Sequence, residues 1–210
     1  MSRLIEDLRW RYATKKFNPD KLISTQDFEI LKEVLTLVPT SNGLQPFKFL
    51  VIENKAIREL LRIRSWNQSQ VTDASHLIVM CSYIDLNEGH IDSYITLNAD
   101  QRKIAEEKLE KFSSHLKQTV TSQSIEEKSS SNEKQVYIAL GHLLHAAAQL
   151  RIDSSPMEGF EPQGYDEILG LSARNLRATV VCALGYRADD DTYQHLQKVR
   201  KPHDALFEVV

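Results

Sequence analysis

Two short segments constrain the fold of this chain more than anything else in it. His76 to Tyr83 (HLIVMCSY) and Leu176 to Tyr186 (LRATVVCALGY) are apolar almost without interruption, where a strand with one wet face would alternate apolar and polar residues. Such strands are stable only when both faces of the sheet are covered, so these two are expected at the centre of a sheet with material on either side. Phe47 to Ile52 (FKFLVI), aromatic and β-branched and placed just after Pro46, reads as a further strand. The longest apolar runs, Leu77 to Cys81 and Ala178 to Leu184 with Thr179 inside it, fall well short of the roughly 20 residues a membrane span requires. No membrane partner is expected.

The covering material is helical. Leu4, Ile5, Leu8 and Tyr12 fall on one face of a short first helix. Ser24 and Asp27 form an [ST]-x-x-[DE] start signal, after which Phe28, Leu31, Leu35 and Val38 recur at helical spacing until Pro39 ends the pattern. Helical spacing returns from Lys55 to Ile63, and residues 88–118 alternate charges around Ile95, Ile104, Leu109 and Phe112 as one long, half-exposed helix would. Thr119 to Lys134 has almost no apolar residue to offset the entropy of ordering and reads as a mobile loop or helix start. Gln135 to Leu150, apolar nearly all round and with four alanines, suits a helix packed on several sides. No repeat and no Pro-, Gly- or Ser-rich linker divides the chain, so residues 1–210 are expected to form a single α+β domain.

Charge and motif content exclude several functions. With 26 basic and 29 acidic side chains the net charge is −3, and a binder of nucleic-acid backbones would normally be clearly basic. The N-terminus, MSRLIEDLRWRY, scatters charges where a signal peptide needs about 7–15 consecutive apolar residues. Cys81 and Cys182 each sit inside an apolar run and read as buried thiols, which together with the N-terminus points to the cytoplasm. There is no G-x-S-x-G, C-x-x-C, H-E-x-x-H, P-loop or Gly-rich dinucleotide signature. His142 and His145, three apart on the apolar helix, lack further ligands at suitable spacing, so no metal site is expected.

What remains is a pair of cationic clusters at the ends of apolar elements. Arg11-Tyr12-Ala13-Thr14-Lys15-Lys16-Phe17 follows the first helix, and Lys198-Val199-Arg200-Lys201-Pro202 lies near the C-terminus. Arginine offers a planar fork to phosphate oxygens and lysine a point charge, although on composition alone either cluster reads as a solvated charged patch. Taken with three further segments they resemble a known family. RYATKKF (11–17), VPTSNGLQPFKF (38–49), WNQSQVTDASHLIV (66–79), PMEGF (156–160) and LQKVRKP (196–202) occur in the order found in the nitroreductase and flavin reductase family. These are FMN-containing enzymes whose fold is a mostly antiparallel central sheet flanked by helices, assembled as an intertwined homodimer.

The resemblance implies a set of roles. Arg11, Lys198 and Arg200 would hold the FMN phosphate, with Tyr12 and Ala13 beside it, and Lys15 would face the N1–C2=O2 edge of the flavin, where negative charge gathers on reduction. Pro39, Thr40, Ser41 and Gly43 would approach the flavin from the partner subunit, and Asn67 would bond its pyrimidine portion. Backbone N–H groups of Glu158 and Gly159, in Pro156-Met157-Glu158-Gly159, would face N5 and O4. Gln70 stands where the family often carries a second flavin-facing lysine, which implies a flavin slightly harder to reduce. Phe47, Trp66 and Phe112 read as packing residues. The implied reaction is hydride transfer from NADH or NADPH through FMN to a small-molecule acceptor such as a nitroaromatic, quinone or flavin, in two exchanges at one site. A specialised enzyme of the same fold, such as a dehydrogenase or reductive dehalogenase with its own group in 88–130, and a flavin-binding module without turnover stand as alternatives.

Overall fold

The computed structural model describes residues 2–210. In chain order it contains α1 (Arg3–Trp10), α2 (Thr25–Thr36), β1 (Phe47–Val51), α3 (Lys55–Ile63), α4 (Gln70–Asp73), β2 (His76–Tyr83), α5 (Glu88–Arg102) and α6 (Glu110–Thr121). There follow α7 (Ile125–Gln149), β3 (Asp153–Met157), α8 (Pro162–Leu169) and β4 (Leu176–Gly185). The strands form an antiparallel sheet in the order β1-β2-β4-β3. Its two central members are the near-continuous apolar runs.

Alternation along those strands feeds two separate cores. Ile78 and Met80 of β2 with Val180, Cys182 and Leu184 of β4 face Leu31 and Leu35 of α2 and Val136, Leu143 and Ala147 of α7. Leu77, Val79 and Cys81 with Val181 and Ala183 face Leu61 of α3 and Tyr165 of α8 on the other side. The register shifts between Met80 and Cys81, where Thr179 is the extra residue and its hydroxyl donates to Ser82 Oγ at 2.9 Å. Both cysteines are free and buried, and burial pushes their thiols up to about 12.

Several expectations need correction. Residues 88–118 are two helices rather than one: Lys103 adopts a left-handed conformation (φ 53°) that ends α5, and α5 and α6 pack on each other around Ile91, Ile95, Leu109 and Leu116. Of the two readings of segment 119–134 the helix start holds, since most of it is the beginning of α7. Ser124 Oγ accepts from the Glu127 amide while the Glu127 carboxylate accepts from the Ser124 amide at 2.8 Å, a reciprocal cap in the middle of the polar stretch. Helix α7 is packed on several sides, against α1, α2 and the sheet, with Tyr137 and Ile138 left exposed. Strand β3 went unread because Asp-Ser-Ser-Pro-Met lacks strand-forming residues; it lies at the sheet edge, where Pro156 costs no ladder bond. On α1 the apolar face exists but faces outward, with Leu4, Ile5 and Leu8 exposed by 47%, 39% and 43%.

A buried cation fixes α3 against the sheet. Arg58 donates to the carbonyls of Ile52 (2.7 Å), Ala74 (2.6 Å) and Ser75 (3.1 Å), bridging the end of β1 to the entry of β2. Burial lowers its pKa, with Glu53 opposing. Arg58→Met would fill the space but take the donors from two buried carbonyls and one half-buried one, at about 1–3 kcal/mol for each buried group. For a chain of this size the melting temperature is expected to fall by roughly 10 °C; thermal denaturation checks this, and a shift under about 2 °C would show the carbonyls finding other donors.

Candidate functional site

The open edge of β3 receives the segment that follows α1. Ala13 pairs with Ser154 as a parallel bridge, the Thr14 amide donates to the Ser154 carbonyl at 3.2 Å, and farther on the Asn18 amide donates to Tyr186 at 2.8 Å. Residues 11–18 therefore run between β3 and the exit of β4. Chain returning from β4 locks them there. The Asp191 carboxylate, fully buried, accepts from the Tyr12 hydroxyl (2.9 Å) and from the amides of Lys15 (2.8 Å), Lys16 (3.1 Å) and Tyr193 (3.1 Å). Burial alone would raise its pKa, but these donors outweigh it and hold the carboxyl below its ordinary value. Burial and the bond to Asp191 push the Tyr12 phenol upward, and the Arg187 guanidinium lies over its ring at 4.6 Å. Arg187 in turn is held by Asp153, with Nε to Oδ1 at 2.8 Å.

Beside this junction the two cationic clusters converge. Lys198 Nζ donates to the Arg11 carbonyl. Burial and then the charges of Arg11, Arg200 and Arg187 lower the lysine's pKa, while burial and Arg200 lower that of Arg11. Among the described residues no carboxylate lies within ion-pairing distance of Arg11, Lys198 or Arg200, and Arg11 Nε is buried without a partner. Like charges held together with an idle donor between them are a costly arrangement that a phosphate dianion would relieve. The residues therefore fit the phosphate of FMN. Lys15 is exposed at the mouth of the same segment, its Nζ 5.9 Å from the Tyr193 ring centroid.

Farther along β3 the chain leaves the sheet after Met157, which pairs with Val181. In the turn that follows, the Phe160 amide donates to Glu158 and the Glu161 amide to Arg64, leaving the N–H groups of Glu158 and Gly159 without an acceptor among the described residues. Against this turn stands another. Trp66 and Asn67 are consecutive left-handed residues (φ 52° and 59°), a strained arrangement that bends the chain back after α3. It brings Gln68 Nε2 within 2.7 Å of the Gly159 carbonyl. The Trp66 ring lies over Gly159 so closely that an added Cβ would meet it at 2.8 Å unless the ring moved. Asn67 is exposed next to this contact and Gln70 is buried at the start of α4.

Glu158, which composition alone leaves as a possible idle surface acid, has a partner: its carboxylate accepts from the Tyr137 hydroxyl of α7. Burial and that bond push the phenol up to about 12. Neither Tyr137 nor Asp191 was found from the sequence. One is an aromatic on an apolar helix and the other the last of three aspartates that read as a solvated run, and no local pattern pairs them with residues far along the chain.

The remaining predicted segment is anchored to α7. Thr40 Oγ1 accepts from the Gln45 amide at 3.0 Å, and the Ser41 amide donates to Gln135 Oε1 of α7 at 2.9 Å. Gly43 takes φ 75° and passes close under the Tyr94 hydroxyl. Pro39, Thr40, Ser41 and Gly43 thus form a turn carried by α7 and bordered by a cleft of about 630 Å³ lined by Gly43, Gln45, Tyr83, Tyr94 and Asn98. No hydrogen bond joins this turn to Arg11, Lys15, Asn67 or Lys198 of the same chain.

The chain as a whole is similar to known proteins. Residues 8–186 match the model of the Nitroreductase family. The major NAD(P)H-flavin oxidoreductase of Aliivibrio fischeri is 30% identical over 214 residues, covering 99% of this chain and 98% of its own. Among solved structures, one from Exiguobacterium sibiricum in complex with FMN superposes with a TM-score of 0.84 at 18% identity, covering 100% of this chain and 98% of its own. The nitroreductase family protein of Streptococcus pneumoniae superposes with a TM-score of 0.81 at 24% identity, covering 99% and 100%. The chain belongs to the nitroreductase family.

Proposed function

We propose that residues 1–210 act as one FMN-binding domain in a homodimer and use NADH or NADPH to reduce a small, electron-poor acceptor such as a nitroaromatic, a quinone or free flavin. The chain is an NAD(P)H-dependent oxidoreductase with FMN as its cofactor. The observation that carries the site assignment is the unpaired cluster of Arg11, Lys198 and Arg200 with the idle Arg11 Nε between β3 and the C-terminal segment. When bound, FMN would supply the hydride-transfer chemistry. The chain's own residues do the rest. Arg11, Lys198 and Arg200 grip the phosphate with Tyr12 and Ala13 beside it. Lys15 would offer a cation to the flavin edge that gains negative charge, Asn67 and Gln70 would serve its pyrimidine side, and Pro156 to Gly159 would supply main-chain donors.

A second copy of the chain completes the site in this reading. The turn at 39–43 is bonded to α7 and makes no hydrogen bond to Arg11, Lys15 or Lys198 of its own chain, and the apolar residues Leu4, Ile5 and Leu8 of α1 face outward beside α7, whose Ile138 is also exposed. A dimer would bury that face, and in this reading the partner's turn at 39–43 reaches the flavin. No helix of the described residues is long and apolar enough to cross a membrane, and the cytoplasm is the proposed location.

The test is the visible spectrum of the purified protein, followed without oxygen as NADH and then NADPH are added. A yellow protein that bleaches and recovers its colour on addition of a nitroaromatic or quinone is the expected result. Yellow protein that neither nucleotide bleaches would sink the reductase reading, and protein that stays colourless with added FMN would sink the cradle.

A further inference from the structure

The turn carrying Glu158 and Gly159 is held from two directions by residues to which nothing so far gives a role. It follows the last pair of an edge strand, Met157 with Val181, so no neighbouring strand fixes the peptides beyond it. Glycine at 159 adds further freedom. Yet the side chain of Glu158 is anchored to the Tyr137 hydroxyl of α7, and the carbonyl of Gly159 is anchored at 2.7 Å to Gln68 Nε2 of the left-handed turn. The Trp66 ring closes the third side. Between these anchors lie the two main-chain N–H groups that have no acceptor among the described residues.

We propose that Tyr137 and Gln68 are positioning residues, which clamp the Glu158–Gly159 peptide so that its idle N–H groups stay aimed at the flavin. This rests on the FMN reading above. Donors preset where charge develops speed a reaction far more than donors that must first be oriented, and loss of one such donor costs roughly 10²–10³ in rate. Loosening a clamp while keeping the donors should cost less, about tenfold. Tyr137 acts only through Glu158, so its effect must vanish once the Glu158 carboxylate is gone. Affinity for FMN should hardly change, because the phosphate grip lies in Arg11, Lys198 and Arg200.

The experiment compares the parent, Tyr137→Phe, Gln68→Ala, Glu158→Ala and the Tyr137→Phe/Glu158→Ala double variant in four readouts: melting temperature without cofactor, FMN dissociation constant by titration, absorption spectrum of bound FMN, and rate of anaerobic bleaching by NADH. Tyr137→Phe and Gln68→Ala are each expected to shift the long-wavelength flavin band and slow bleaching about tenfold, with affinity changed less than about twofold and melting unchanged. The double variant should bleach as slowly as Glu158→Ala and no slower. Parent-like spectrum and rate in both single variants would overturn the clamp, as would slowing that merely parallels lost affinity and early melting, or effects that multiply in the double variant. A parent that takes up no FMN overturns the cofactor reading itself, and the clamp with it.

Discussion

Replacing Arg11 by alanine is expected to weaken FMN binding by between about tenfold and somewhat over a hundredfold while leaving the cofactor-free protein at least as stable as before. The first half follows from a net loss equivalent to one charge-assisted bond to phosphate, about 1.5–3 kcal/mol, with about 1.4 kcal/mol for each factor of ten. Its converse follows from the cluster's own electrostatics. Without a ligand, Arg11, Lys198 and Arg200 only repel one another, to the point that the two neighbours help lower the pKa of Lys198, and Arg11 Nε is a buried donor with nothing to bond. Deleting that side chain removes a penalty, and Lys198 keeps its acceptor because the bond is to the Arg11 main-chain carbonyl. Arg11→Lys should fall between the two, keeping charge but losing the planar fork. Fluorescence titration with FMN and melting of the cofactor-free protein read the two halves separately. Parent-like affinity would mean that the phosphate sits elsewhere, and a large fall in apo-protein melting would mean that Arg11 is a structural residue.

The sequence was most informative where burial dictates composition. β2 and β4 are covered on both faces, so Leu77 to Cys81 and Val180 to Leu184 had to be apolar throughout, and their central place could be read directly. β3 could not be read in that way. As an edge strand it needs little intrinsic preference of its own, and its Ser-Ser-Pro is tolerated because β4 on one side and the Ala13 bridge on the other supply the pairing. Helix ends depend on single residues that periodicity averages away, hence the missed break at Lys103 and the missed cap at Ser124. The site divides along the same line. Arg11, Lys15, Lys198 and Arg200 stand in short local motifs, whereas Asp191 and Tyr137 act on partners separated from them along the chain, and only the fold reveals such pairings.

Asp191 is where that blindness matters most, because both halves of the cradle hang on one carboxylate. Asp191→Ala leaves the amides of Lys15, Lys16 and Tyr193 and the hydroxyl of Tyr12 without an acceptor. At about 1–3 kcal/mol for each buried donor, partly relieved by entering water, the expected loss is about 3–5 kcal/mol and a fall of roughly 10 °C or more in melting temperature. Asp191→Asn keeps one oxygen and should lose about half as much. The pH dependence separates charge from shape. Since the folded carboxyl titrates below its ordinary 3.8, its contribution is fully present above that value and is lost as the pH falls through the lower folded pKa. Stability of the parent should therefore drop toward acid more steeply than that of Asp191→Asn, and equal slopes would show that the charge contributes nothing. FMN affinity should fall with both variants, since Lys15 is held by its own amide and Arg11 stands in the same segment. In contrast to Arg11→Ala, which separates affinity from stability, these variants should lose the two together, because Asp191 orders the chain that carries the cations and contributes no cation of its own.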